Sequence, residues 1–241
     1  MLVLAVLAGC GPKALHMLTC EEYYQAGLRN IERKHWLQAQ ADFQAITLNY
    51  PGCDLVDDAQ YMLGETYFLQ GQYVEAEFEY RRLVEDFRLS DRMEDAQFKL
   101  ALSAYKQTFP AQLDQTPTEG AIFRFQQYLE DFPSGRWAAD ARRYIQELRK
   151  RLAKKDFEAA RYYHRQSYQD AALIYLDHIL TEYSDTGEWV EQARYMKAEI
   201  LIARRQPQEA LALLRAIDQD AIKPGLREDV QRTIARLQRD R

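Results

Sequence analysis

A chain of 241 residues, 47% of them apolar and 29% charged, has enough material for a folded core, and its mean hydropathy of −0.54 excludes a protein built of many membrane spans. Ten glycines and seven prolines are few for this length, and hardly any stretch alternates apolar with polar residues over more than about four positions, which argues against sheets. The net charge of −5 is uneven, with 11 Lys+Arg against 20 Asp+Glu in residues 1–135 and 21 against 17 in 136–241, so the two halves suit different partners.

Met1 to Ala8 is uniformly apolar and breaks into Gly9-Cys10-Gly11-Pro12-Lys13. This resembles the end of a bacterial lipoprotein signal peptide, in which residues 1–9 are a signal remnant, Cys10 becomes the acylated first residue and 10–19 form a linker. The run is shorter than the ~20 apolar residues of a membrane-spanning helix and lacks the basic start expected of a signal, so either the true start lies upstream or the sequence is truncated at this end. The alternative is an apolar terminus with a chance cysteine. Several acyl chains anchor a protein stably, whereas one is marginal. Cys20 and Cys53 fall at the start of a first helix and the end of a second, which lie side by side in an antiparallel pair. Either a disulfide or two free thiols fits that placement.

From there a repeat of period 37 is visible: Ala39 recurs as Ala76, Gln60 as Gln97, and Tyr50 as Phe87. The apolar spacing predicts helices at about 20–33, 36–50, 57–70, 73–87, 92–107, 118–132, 136–166, 169–183, 188–204, 207–217 and 225–239. Aligned on the small residue of each second helix, Ala39, Ala76, Ala121, Ala172 and Ala210 are followed four positions later by Phe43, Tyr80, Phe125, Leu176 and Leu214. Three further on come Ile46, Leu83, Tyr128, Ile179 and Ile217. The first helices carry Ala26-Gly27, Leu63-Gly64, Leu100-Ala101, Ala159-Ala160 and Lys197-Ala198 where close packing is expected. This is the tetratricopeptide (TPR) pattern of stacked helix pairs, so the expected fold is an all-α solenoid over 20–241. Its repeats span about 20–53, 57–90, 92–133, 136–184 and 188–220, with a cap at 225–239.

Two irregularities interrupt the period. A loop from Thr108 to Pro117 separates the helices of the third pair, and the helix at 136–166 is twice normal length. After Pro224-Gly225, a last helix with Arg227, Glu228, Arg232, Arg236 and Arg239 on its outer face suits the polar cap a solenoid needs. The densest basic run (Arg149, Lys150, Arg151, Lys154, Lys155) is interleaved with apolar helix positions, so nucleic acid is not an expected partner.

Several segments go beyond a generic repeat: Asp114-Gln115-Thr116-Pro117-Thr118 before Ala121-Ile122-Phe123-Arg124-Phe125, then Asp131-Phe132-Pro133-Ser134, Asp140-Ala141, Arg151-Leu152-Ala153-Lys154 and Ala160-Arg161-Tyr162-Tyr163. Together with the lipoprotein-like start, the third-pair loop and the long seventh helix, they resemble the BamD (YfiO) family of lipoproteins in the outer-membrane β-barrel assembly machinery. The short amino-terminal linker, Ser184 in place of a terminating proline and the helix after Pro224 depart from that pattern. The resemblance implies a lipid-anchored scaffold on the periplasmic face of the outer membrane. It would bind the BamA insertase through a POTRA domain, other assembly lipoproteins, and unfolded outer-membrane proteins. It implies substrate contact by the early repeats and insertase contact by the later ones.

No catalytic or cofactor chemistry is expected. His16, His35, His164 and His178 show no metal-ligand spacing, and no phosphate loop or nucleophile motif is present. A solenoid binds extended peptide on its concave face, where helix periodicity places Tyr24, Leu28 and Ile31, then Tyr61, Glu65 and Phe68, then Phe98, Leu102 and Tyr105. Aromatic rings there suit a segment ending in an aromatic residue, and packing against the neighbouring repeat is the alternative at each position. A second surface is expected around Arg161, Arg165, Tyr168 and Arg194, facing an acidic partner domain, with intramolecular pairing of each arginine as the alternative. Competing readings are a different envelope TPR adaptor, TolA-binding or cell-wall coordinating, and a helical-repeat enzyme or ligand carrier.

Overall fold

The computed structural model describes residues 18–239, so Cys10 and the signal-like run lie outside the described residues. Among the described residues there are eleven α-helices and no strand. In chain order they are α1 (Cys20–Glu32), α2 (Trp36–Asn49), α3 (Val56–Leu69), α4 (Tyr73–Asp86), α5 (Met93–Lys106), α6 (Thr116–Asp131), α7 (Ala138–Arg165), α8 (Gln169–Glu182), α9 (Glu188–Ala203), α10 (Pro207–Arg215) and α11 (Pro224–Arg239). Each packs on the next, and α7 also touches α9, which is the nearest-neighbour stacking of a solenoid. No helix of the described residues is long and apolar enough to cross a membrane.

Local chemistry accounts for the helix ends. Thr19 and Glu22 form a reciprocal capping box at α1, with the Glu22 N–H donating to Thr19 Oγ1 (3.2 Å) and the Thr19 N–H to Glu22 Oε2 (2.8 Å). Pairs one, two, four and five turn over a single left-handed residue, respectively Lys34, Gly71, Ser167 and Arg205. In each, the next N–H reaches back five residues: His35 to Asn30 O (2.8 Å), Gln72 to Tyr67 O (3.0 Å), Tyr168 to Tyr163 O (3.0 Å) and Gln206 to Leu201 O (2.9 Å). These are Schellman closures, and at Gly71 (φ 75°) the absence of Cβ makes the left-handed step inexpensive. The third pair replaces this turn with a loop organised by Gln115, which is 3% exposed and donates Nε2 to Pro110 O (2.8 Å) and Leu113 O (3.1 Å). α6 then begins at Thr116, earlier than expected, because Pro117 occupies the first turn, where its missing N–H leaves no intrahelical bond unmade.

The alignment of small and large residues describes the core. Ala39, Ala76, Ala121, Ala172 and Ala210 are all 0% exposed, as are Phe43, Tyr80, Phe125, Leu176 and Leu214. On the facing helices, Gly27 lies under the Phe43 ring and Gly64 under Tyr80, so close that a methyl group would sit 2.6 Å from Phe43 Cζ and 2.7 Å from Tyr80 Cε1. The repeated glutamines link helices within a pair: Gln60, 1% exposed, donates to Glu79 Oε2 (2.7 Å), and Gln97 to Asp131 Oδ2 (2.7 Å). α7 serves two clusters, with Leu148 packed among Phe98, Phe125 and Tyr128, and Ala153, Phe157 and Ala160 among Leu176, Ile179 and Val190. α11 buries Val230 and Leu237 against α9 and α10.

Cys20 and Cys53 are joined by a disulfide with Cα atoms 6.6 Å apart, which ties the start of α1 to the turn after α2. The Tyr50 hydroxyl donates to Leu18 O (2.7 Å) beside it. The bridge closes a sequence separation of 33 residues. On the chain-entropy account, its removal destabilises by about 3–4 kcal/mol. Denaturant unfolding of a Cys20→Ser/Cys53→Ser variant, compared with the oxidised protein, checks that value. Gly64→Ala should lose about 1–3 kcal/mol in the same assay, because the Tyr80 ring has to move out of its well-packed position.

Candidate functional site

The odd-numbered helices α1, α3 and α5 present the row expected to bind peptide. Tyr24 of α1 meets Phe43 edge-on at 5.8 Å between ring centroids, while Leu28 and Ile31 are partly buried against the first-pair core. On α3, Tyr61 lies 5.7 Å from Tyr80, and Phe68 lies 5.3 Å from Tyr73. On α5, Leu102 is partly buried, and Tyr105 packs on Tyr144 of α7 at 4.6 Å. Tyr24, Tyr61, Phe68 and Tyr105 therefore combine a packed edge with a solvent-accessible one.

Phe98 does not belong to this surface. It is 4% exposed and stacked on Trp137 at 4.9 Å, with an interplanar angle of 11°. Helix periodicity aims it along the row, but Trp137, entering from the segment before α7, covers it. The Trp137 indole N–H donates to Asp95 Oδ1 (2.8 Å), which fixes that lid.

Charged groups thread through the row. Arg92 donates Nε to Asp58 Oδ1 at 2.5 Å, and its guanidinium carbon lies 5.5 Å from the Tyr61 ring centre. Lys99 Nζ sits 2.7 Å from Glu65 Oε1 and 4.8 Å from the Phe68 ring centre, a cation–π placement. The Tyr80 hydroxyl also donates to Glu65. Burial, with help from Glu65 and Asp95, pushes the Tyr61 phenol well above its ordinary range, and burial followed by Glu65 does the same to Tyr80. Glu65 is thus held by Lys99 and tyrosine hydroxyls. Neither Arg92 nor Lys99 was singled out from sequence. Both stand 34 residues after the acid they pair with on α3, and that shared offset was the available signal.

The second surface lies at the end of α7 and the turn into α8. Arg161, Arg165 and Tyr168 are exposed, Tyr168 by 65%, and among the described residues Arg161 and Arg165 form no ion pair. Tyr168 borders a cleft with Tyr163, Gln169 and Arg204, the last ion-paired to Asp170 at 2.5 Å. Arg194 does not join them. It donates to Glu191 Oε1 (2.6 Å) and to Ala216 O (3.3 Å), because Glu191 is 5% exposed and a buried carboxylate requires a cation.

Burial and the hydrogen bond to Glu147 (2.6 Å) push the Tyr105 phenol up to about 12, from an ordinary 10.0. A neutral phenol favoured by folding stabilises the protein below pH 10.0, and that contribution is lost as pH rises towards about 12. Phenolate absorbance should show one fewer late-ionising tyrosine in Tyr105→Phe than in the parent. The parent's stability should also decline more steeply than the variant's over that interval.

The sequence profile of the family described as YfiO, outer membrane lipoprotein, matches residues 17–210. A relative from Caulobacter vibrioides named outer membrane protein assembly factor BamD is 24% identical over 196 residues, covering 79% of this chain and 64% of its own length. A Rickettsia prowazekii protein of the same name is 24% identical over 168 residues, covering 70% of this chain and 67% of its own length. The chain therefore spans about two thirds of the length of these curated relatives. Among solved structures, a thermophilic TPR protein from Thermus thermophilus aligns over 91% of this chain and 98% of its own at 16% identity, with a TM-score of 0.38. The profile match runs through the first four helix pairs and α9, as far as the first turn of α10, and on that extent the chain belongs to the YfiO family of outer membrane lipoproteins.

Proposed function

We propose that this protein is a non-enzymatic scaffold of outer-membrane β-barrel protein assembly, anchored through acylated Cys10 to the periplasmic face of the outer membrane. The observation that carries the reading is the half-open aromatic row Tyr24, Tyr61, Phe68 and Tyr105 on consecutive odd helices, within a chain of this family. Rings fixed at one edge present large contact area at little entropic cost, which suits an unfolded substrate segment ending in an aromatic residue. Leu28, Ile31, Glu65 and Leu102 frame them, and Glu65 is held by Lys99.

Arg161, Arg165 and Tyr168 supply the surface for a POTRA domain of a BamA-like insertase. Unpaired exposed guanidinium groups offer orientation and on-rate towards an acidic partner without first breaking internal pairs. Other assembly lipoproteins would share the remaining faces. The names of the two relatives, both assembly factors, support this biology.

Titration of a fluorescent amphipathic peptide ending in phenylalanine tests the row. Tyr61→Ala/Phe68→Ala should weaken binding about tenfold or more with the helical circular-dichroism signal retained. Unchanged affinity would refute the groove. Arg161→Glu/Arg165→Glu should reduce recovery of the insertase when the tagged protein is purified from solubilised membranes, and normal recovery would reject that surface.

A further inference from the structure

The odd-helix face opens a second time, far along the chain from the tyrosine row, where α9 runs between the second half of α7 and the start of α11. Glu188, Gln192, Met196 and Glu199 lie on one stripe of α9, and with Phe157 of α7 and Leu226 of α11 they border a cleft of about 630 Å³. Its floor is apolar and well packed: Phe157 is 8% and Met196 9% exposed, and Phe157 rests against Trp189 at 5.7 Å. Its rim is acidic at both ends.

The two carboxylates differ in how they are satisfied. Glu188 Oε1 accepts from Gln192 Nε2 at 2.9 Å and lies 3.2 Å from the ammonium of Lys223, in the linker before α11. The Lys223 side chain is 81% exposed, so this ion pair is weak and easily displaced. Glu199, at the other end, accepts a hydrogen bond from the Tyr195 hydroxyl and has no lysine or arginine ion pair among the described residues; the cleft wall desolvates it enough to raise its carboxyl, with His164 and Tyr195 opposing the shift. A carboxylate at each end of an apolar floor, one paired with a loosely held internal ammonium and the other bonded by a tyrosine hydroxyl but by no lysine or arginine, complements a cation carried beside a bulky apolar group.

We infer that this cleft binds a polypeptide segment in which an arginine or lysine neighbours a large apolar side chain. The apolar group occupies the Phe157–Met196–Leu226 floor, and the cation replaces Lys223 at Glu188 or bonds Glu199. A guanidinium serves best, because its planar fork donates to a carboxylate with two parallel hydrogen bonds. Met196 adds an adaptable, polarisable surface that accommodates more than one apolar shape. This goes beyond the aromatic-terminus recognition proposed for α1, α3 and α5, since the determinant here is positive charge.

Fluorescence anisotropy with labelled acetyl-Leu-Arg-Gly-amide, which has no aromatic end for the tyrosine row to hold, against the same peptide carrying neutral citrulline in place of arginine, tests the inference on the full chain. Saturable binding is expected, about tenfold weaker for the citrulline peptide. Glu188→Gln/Glu199→Gln should abolish that difference, and Lys223→Ser should tighten arginine-peptide binding about threefold by removing the internal competitor. Tyr61→Ala/Phe68→Ala should leave it unchanged, which separates this site from the tyrosine row. Equal affinity for the two peptides, an undiminished preference in the double glutamine variant, or no saturation at millimolar peptide would overturn the proposal.

Discussion

The architecture depends on how closely the two helices of a pair approach each other. At Gly27 and Gly64 there is no room for even one carbon beyond the backbone, because the rings of Phe43 and Tyr80 fill it. Interiors packed to crystal-like density transmit such a constraint outward. Once the ring is seated, the angle of the pair is set, and the same helix must turn its other stripe towards the next repeat or solvent. The Tyr24 and Tyr61 rings contact those seated rings directly, so the outer row inherits its position from the contact beneath it.

Apolar packing is nevertheless local. The buried residues fall into separate clusters, each centred on one helix pair or on the junction with its neighbour. Polar links and one long helix join these blocks. Arg92 and Lys99 reach back from α5 and its cap to acids on α3. α7 runs through two clusters, and its Arg151 donates to Thr108 Oγ1 (2.6 Å) and Phe109 O (3.1 Å), securing the third-pair loop. That loop has no Schellman closure of its own, so its order is supplied by Gln115 from within and Arg151 from outside.

The repeated architecture was legible because it is written twice, in small residues at fixed spacing and in large ones that fill the space they leave. Helix limits fall within two residues of the positions periodicity predicts. What spacing did not reveal came from residues distant in sequence. The covering of Phe98 requires Trp137, carried in from beyond α6, and no pattern within α5 announces it. Arg194 is likewise taken up by Glu191, a carboxylate its own helix buries three residues earlier. Periodicity assigns a residue to a face, whereas exposure depends on what arrives over that face from elsewhere.

The two ends of the solenoid are unlike. At the amino end the covalent clip between Cys20 and Cys53 keeps the two ends of the α1–α2 hairpin together even when its helices open. At the carboxyl end α10 has only nine residues, and α11 closes the stack by noncovalent contact alone among the described residues. In a linear array whose blocks sense only adjacent blocks, each block opens with its own local free energy. The clip gives the first pair, which carries Tyr24 at one end of the tyrosine row, a smaller entropic gain on opening than any uncrosslinked pair.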